Sequence, residues 1–289
     1  AQLFFATAFT SITSFAQNIR DLRTAGCDII VDDIIYFAES PFQDGQAGSV
    51  TAPTNGGVVI QAVKDVTAAG ALYFSSAGNE GNVTDGTSGT WEGNFNANGA
   101  GSGALTGAGT LHNFGDGGVS NLVTASAPIT TLHWSDPLGA SGNDYDIYVL
   151  NGTLTTIFDA SANVQDGDDD PFEIFGGTFT SERIVVALFS GVQRFIRVEN
   201  FRGRMQQNTT GATFGHSCAA LAFGVAATPA ATAFGAPPNP TGPFPNPHSA
   251  ANLSELFTAD GPRQFFYNED STPITPGNVL AGGGLVRQK

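Results

Sequence analysis

The hydrophobic period of this chain changes near Trp91, and that change restricts the fold more than any other feature. Before it, helical and extended spacings alternate. From about Ser11 to Ala25, Phe15, Ile19 and Leu22 fall at i, i+4 and i+7, with Arg20 and Arg23 off that face and Gly26 as a stop. The run Asp28-Ile29-Ile30-Val31 is β-branched and bears the mark of a buried parallel strand. Residues 39–57 hold Pro, Gly, Ser and Asp and read as a loop. A second helix covers Val58 to Ala69, with Val59, Ala62, Val63 and Val66 on one face and Gly70 as its stop. Ala71 to Ser75 is the next strand, and Ala1 to Ala8 reads as another buried strand at the start. This alternation predicts an α/β fold built on a doubly wound parallel sheet.

From Trp91 to about Gln206 no helical period remains. Short alternating runs at 129–134, 144–150, 153–158, 183–189 and 193–198 predict antiparallel strands. Together they form an all-β unit of about 115 residues, the size of a β-sandwich. Residues 211–227 return to small apolar side chains, and 228–247 are Pro-rich. The expected organisation is an α/β first part over 1–90, an inserted sandwich over 91–210 and a returning α/β segment over 211–289.

Charge excludes several classes of function. The formal net charge is −15 and the only lysines are Lys64 and Lys289, so no footprint for nucleic acid or an anionic membrane exists. No run approaches the roughly 18 apolar residues of a membrane span. Cys27 and Cys218 sit among small apolar residues and read as buried free thiols, although one bridge between them is open. Few lysines, many acids and Gly/Thr/Asn-rich loops fit secretion. The chain opens without Met in an apolar run and stops abruptly at Lys289, as a fragment or processed piece would.

The stretch richest in chemistry is A-L-Y-F-S-S-A-G-N-E-G, residues 71–81. It is a strand ending in a Gly-containing turn that presents Asn79. Open parallel sheets bind ligands at the carboxyl ends of their strands. An amide there either donates to a developing oxyanion or caps its own backbone turn. Three other stretches stand with it: the opening A-Q-L-F-F-A-T-A, the helix followed by G-C-D-I-I-V, and L-F-T-A-D-G-P at 256–262.

In this order, the four segments resemble the subtilisin family of serine peptidases. The resemblance covers residues 1–90 and roughly 211–289. It implies a serine-type endopeptidase acting on polypeptides by acyl transfer, with no required cofactor. It makes Asn79 the oxyanion-hole donor and sets Ser76, Ala77 and Gly78 along the substrate wall. It also puts the catalytic Asp and His before Ala1 and the nucleophilic Ser after Lys289. One departure is local: Asp33-Ile34-Ile35 stands where the family commonly shows Ser-Leu-Gly on the strand flanking the substrate. Asp33, with Asp32, is either a carboxylate near substrate, tuned upward by desolvation, or a loop-bonding and helix-capping pair. The alternative function is a non-catalytic binding or adhesion module of subtilisin-like build, working through its sandwich.

Other titratable residues carry weaker signals. His216 reads as structural, bonded to a loop backbone, and His133 as a residue on the sandwich surface. His248 lies in the Pro-rich stretch. The acidic run Asp166, Asp168, Asp169, Asp170 and Glu173 fits either calcium or solvated loops. The stretch W-S-D-P-L-G-A-S-G-N-D-Y-D-I-Y-V is similar to small β-sandwich domains that accompany secreted peptidases. Calcium is possible there, with Asp136, Asp144 and Asp146 as candidate ligands.

Overall fold

A computed structural model describes residues 2–50, 54–229 and 253–289. Helix α1, Ile12–Thr24, begins where the Ser11 hydroxyl accepts the Ser14 backbone N–H at 3.0 Å, which satisfies one of the free donors of a helix start. The chain continues through strand β1 (Ile29–Asp32), helix α2 (Val58–Ala68) and strand β2 (Leu72–Ser76). Strand β1 pairs in parallel with β2, Ile30 standing opposite Tyr73.

Eleven strands follow: β3 (Thr90–Asn94), β4 (Ala97–Ala100), β5 (Thr110–His112), β6 (Asn121–Ala125), β7 (Thr130–Trp134), β8 (Asp144–Leu150), β9 (Ile157–Ser161), β10 (Phe172–Phe175), β11 (Arg183–Ser190), β12 (Phe195–Asn200) and β13 (Arg204–Met205). They form a four-stranded sheet in the order β10-β7-β12-β3 and a seven-stranded sheet. In the latter, β8 and β9 lie on one side of β11, while β6 with β13 and β5 with β4 lie on the other. All these pairings are antiparallel, and both sheets send side chains into one cluster. Trp91, Leu132, Trp134 and Val198 come from the first sheet, and Tyr145, Ile147, Ile184 and Val186 from the second.

The chain then returns to the parallel sheet as β14 (Ala222–Val225), on the other side of β2. A last pair, β15 (Arg263–Phe265) and β16 (Leu285–Arg287), is antiparallel.

The molecule is therefore a mixture of α and β, mostly β, and four features differ from expectation. First, the parallel sheet is covered on one face among the described residues. Ile30, Tyr73 and Ala222 pack with both helices, whereas Ile29, Val31, Leu72, Phe223 and Val225 face outward. Side chains alternate along a strand, so an apolar run with helices on one side is half buried. Second, residues 2–8 form no strand: Leu3 and Phe5 are exposed, and the segment pairs with no strand among the described residues. Third, the run at 153–158 starts as a turn with Leu154 at φ 59°, and extended structure begins only at Ile157. Fourth, His133 is buried, because Phe172 and Phe214 cover the outer face of β7. Both cysteines are free thiols. Most of the Pro-rich stretch, with His248, lies outside the described residues.

Buried charges tie the returning segment to the four-stranded sheet. Arg197 on β12 donates to Glu199 at 2.5 Å and to the Ala212 carbonyl at 2.8 Å. Arg263 on β15 donates to Glu92 of β3 and to the Gly211 carbonyl.

Candidate functional site

At the carboxyl ends of the parallel strands, β2 runs into the turn Ala77-Gly78-Asn79-Glu80-Gly81. Two features force its shape. Gly78 has φ +106°, a region open mainly to glycine, and a Cβ there would stand 2.3 Å from the Glu80 carboxylate. Glu80 is buried and turns back beneath the bend. Burial pushes its pKa up, and Arg197 and the backbone N–H groups of Asn79 and Glu80 act against that push. Residues 256–262 lie alongside: Gly81 N–H donates to the Phe257 carbonyl at 2.9 Å and Ala259 N–H to the Gly78 carbonyl at 3.1 Å.

Asn79 is exposed at the tip, and its amide makes no hydrogen bond among the described residues. It does not cap its own turn. Three clefts meet at it. One of about 460 Å³ is lined by Asp33, Ser76, Ala77, Gly78, Asn79 and Phe257, among others. A second, about 400 Å³, runs past Ile34, Phe37, Ile129 and Arg202. A third, about 280 Å³, is bordered by Thr87, Arg204 and Glu255. All five residues singled out from the sequence, Asn79, Ser76, Ala77, Gly78 and Asp33, thus border one cleft. Glu80 and Phe257 lie within the quoted stretches 71–81 and 256–262 but were not singled out, and Arg202 comes from a segment that no motif marks.

Asp32 borders the same cleft but points into a buried network. Its carboxylate accepts from the Tyr73 hydroxyl, from the Ser75 hydroxyl at 2.7 Å and from His216 Nε2 at 3.2 Å. His216 Nδ1 donates to Glu39 at 2.9 Å. Gly215, at φ +72°, permits this approach, because a Cβ there would meet Glu39 Oε2 at 2.4 Å. Burial alone would depress the His216 pKa, but Glu39 and Asp32 raise it well above the usual value. Burial would raise Asp32, and His216, Tyr73 and Ser75 together hold it below the usual value.

His216 is therefore bonded to two carboxylates rather than to a loop backbone, and Asp32 is not tuned upward. Asp32 and Asp33 also do not act as a pair: one is an anchor and the other faces solvent. Glu39 lies 177 positions from His216, so no sequence window reveals the contact.

The three candidate calcium ligands separate. Asp136 accepts from Ser141, from Asn143 and from Arg194 at 2.5 Å, which occupies both its oxygens. Asp144 and Asp146 border a different cleft. Asp166, Asp168 and Asp169 come together at the surface, while Glu173 is buried apart from solvent.

No protein-family profile matches this chain, and no curated protein matches it. Among solved structures, the CspB protease of Clostridium perfringens is similar at 12% identity with a TM-score of 0.41. The match covers 96% of this chain and 56% of that one, so this chain spans little more than half its length. A likeness of this size assigns no residue a role.

Proposed function

We propose that this chain is part of a subtilisin-like serine endopeptidase, with residues 91–210 as an inserted β-sandwich between two pieces of its α/β core. One observation carries the reading. Asn79 presents a free amide at the carboxyl end of the middle parallel strand, where three clefts meet. The four segments in family order support it, and two of them, 71–81 and 256–262, are hydrogen-bonded side by side.

In this reading a serine attacks the scissile carbonyl, and negative charge grows on the carbonyl oxygen. Asn79 Nδ2 donates to that oxygen and stabilises the transition state more than the ground state. Glu80 fixes the turn, so the donor needs little reorganisation. Ser76, Ala77 and Gly78 form the wall beside the scissile residue, and Asp33 stands on the facing rim. Nucleophile and general base come from polypeptide beyond these 289 residues. The enzyme acts on polypeptides outside the cell and needs no cofactor for the chemistry.

Covalent labelling tests the class. The parent protein, treated with a fluorophosphonate, is expected to gain one covalent adduct on serine and lose peptidase activity in step. A parent protein that takes no adduct and cleaves no peptide overturns the reading and leaves the binding module in its place.

A further inference from the structure

We propose that the cleft between strand β8 and the Ala104–Ala108 segment is a binding site for a hard divalent cation, calcium by its donor set, with Asp144 and Asp146 as the protein carboxylates. The cleft encloses about 360 Å³. It lies away from Asn79 and is independent of the peptidase reading.

The site follows from the period of a strand. Successive side chains point to opposite faces, so Tyr145, Ile147 and Val149 enter the core between the sheets. Asp144, Asp146 and Tyr148 emerge on the other face, the backbone positions of the two aspartates lying about 6.6 Å apart along the strand. Both are nearly sealed, Asp144 at 3% and Asp146 at 5% exposure. Buried carboxylates are ordinarily paired or bound to metal. Here no ion pair reaches either one among the described residues, and Arg194 lies on Asp136 instead.

Asp144 Oδ1 is buried without any hydrogen-bond partner. Asp146 accepts one bond, from the Tyr148 hydroxyl at 2.7 Å. A third carboxylate, Glu173, adds negative charge nearby, while its own oxygens accept from Ser161, Asn163 and Gln165. Burial, with Asp144 and Glu173, pushes Asp146 up to about 6 against the Tyr148 hydroxyl, and burial with Glu173 raises Asp144 against a hydrogen bond from the Gln165 backbone N–H. Negative charge thus converges on a cleft without a cationic side chain.

The donors select the ion. The lining holds two carboxylates, the Tyr148 phenol and the Thr106 hydroxyl among apolar side chains, with no imidazole and no sulfur. An all-oxygen set excludes a preference for zinc or copper. Calcium takes six to eight oxygens in loose geometry and completes its shell with water, whereas magnesium demands a tight octahedron. An open cleft with two fixed carboxylates suits calcium. The surface trio Asp166, Asp168 and Asp169 is the rival location, but it is solvent-facing and has nothing beyond its own charge to mark a ligand.

The test is calcium titration of the chelator-treated chain by calorimetry, with melting temperature and tyrosine-sensitised terbium emission as parallel readouts. Saturable binding is expected, with a higher melting temperature and magnesium at least about tenfold weaker. Asp146→Asn should abolish all three signals. Without calcium, Asp146→Asn should melt no lower than the unsubstituted chain, because it removes like-charge repulsion; a purely structural aspartate would instead lower it. The double variant Asp166→Asn, Asp168→Asn should keep the response. The proposal is overturned by a flat titration of the unsubstituted chain, by binding that survives Asp146→Asn, by a response lost in the surface double variant, or by magnesium matching calcium. Should Asp146→Asn fail to fold by circular dichroism, Asp144→Asn takes its place under the same criteria.

Discussion

His216 shows how one side chain can organise the base of a cleft. It holds Asp32 on one ring nitrogen and Glu39 on the other, wholly out of solvent. Its raised pKa means that its contribution to stability is fully present below about pH 6.5 and is lost as pH rises through the raised value. Asp32 is lowered, so its contribution is present above its ordinary 3.8 and is lost as pH falls through the lowered value. The window of full stabilisation is therefore mildly acidic, from about pH 4 to about 6.5. Replacing the cation with His216→Gln leaves two buried carboxylates facing an uncharged amide, a loss of about 3–5 kcal/mol near neutral pH. The deficit should shrink toward acid as the carboxylates protonate. Thermal melts of both forms across about pH 4 to 9 measure this; a deficit independent of pH would refute the ion-pair account. None of it was legible locally. Asp32 stood out as a strand-end carboxylate and His216 as a structural histidine, but their partnership exists only in three dimensions.

Elements were legible where period and flanking signals agreed. Both helices and strands β1, β2, β7, β8, β11 and β12 lie within a few residues of the expected positions. Strands β5 and β10 carry three and four residues, too few for alternation to register, and β3 and β6 include Asn, with Gly in β3, so pairing rather than propensity defines them. Residues 2–8 fail in the opposite way: their composition is strand-like, but they pair with no strand among the described residues.

The parallel sheet carries a sharper lesson. An apolar run promises burial on both faces, yet helices α1 and α2 occupy the same side. Substitutions on the two faces should therefore diverge. Ile30→Ala, beneath the helices, should cost about 2–5 kcal/mol. Val31→Thr, one residue on and outward, should stay within about 0.5 kcal/mol in this chain. Chemical denaturation of both variants reads the difference, and equal losses would mean that the outer face is covered in solution.

At the scale of the whole molecule, β1 and β2 pair in parallel before Trp91, the strands from β3 to β13 pair antiparallel, and β14 rejoins the parallel sheet before the antiparallel pair β15–β16. The chain crosses between the two regions over buried charge, through Arg197, Arg263, Glu92 and Glu199, which composition could not announce. The acidic balance forecast partners only by exclusion. The site was legible as a turn and a strand end. Its surroundings were not, because Glu39 and Arg202 reach it from segments that carry no motif.

The central claim rests on Asn79, and steady-state kinetics of Asn79→Ala in the parent protein test it most directly. The account predicts that kcat falls about 100- to 1000-fold while KM changes little, since the amide acts on charge present only in the transition state. An unchanged kcat would contradict it.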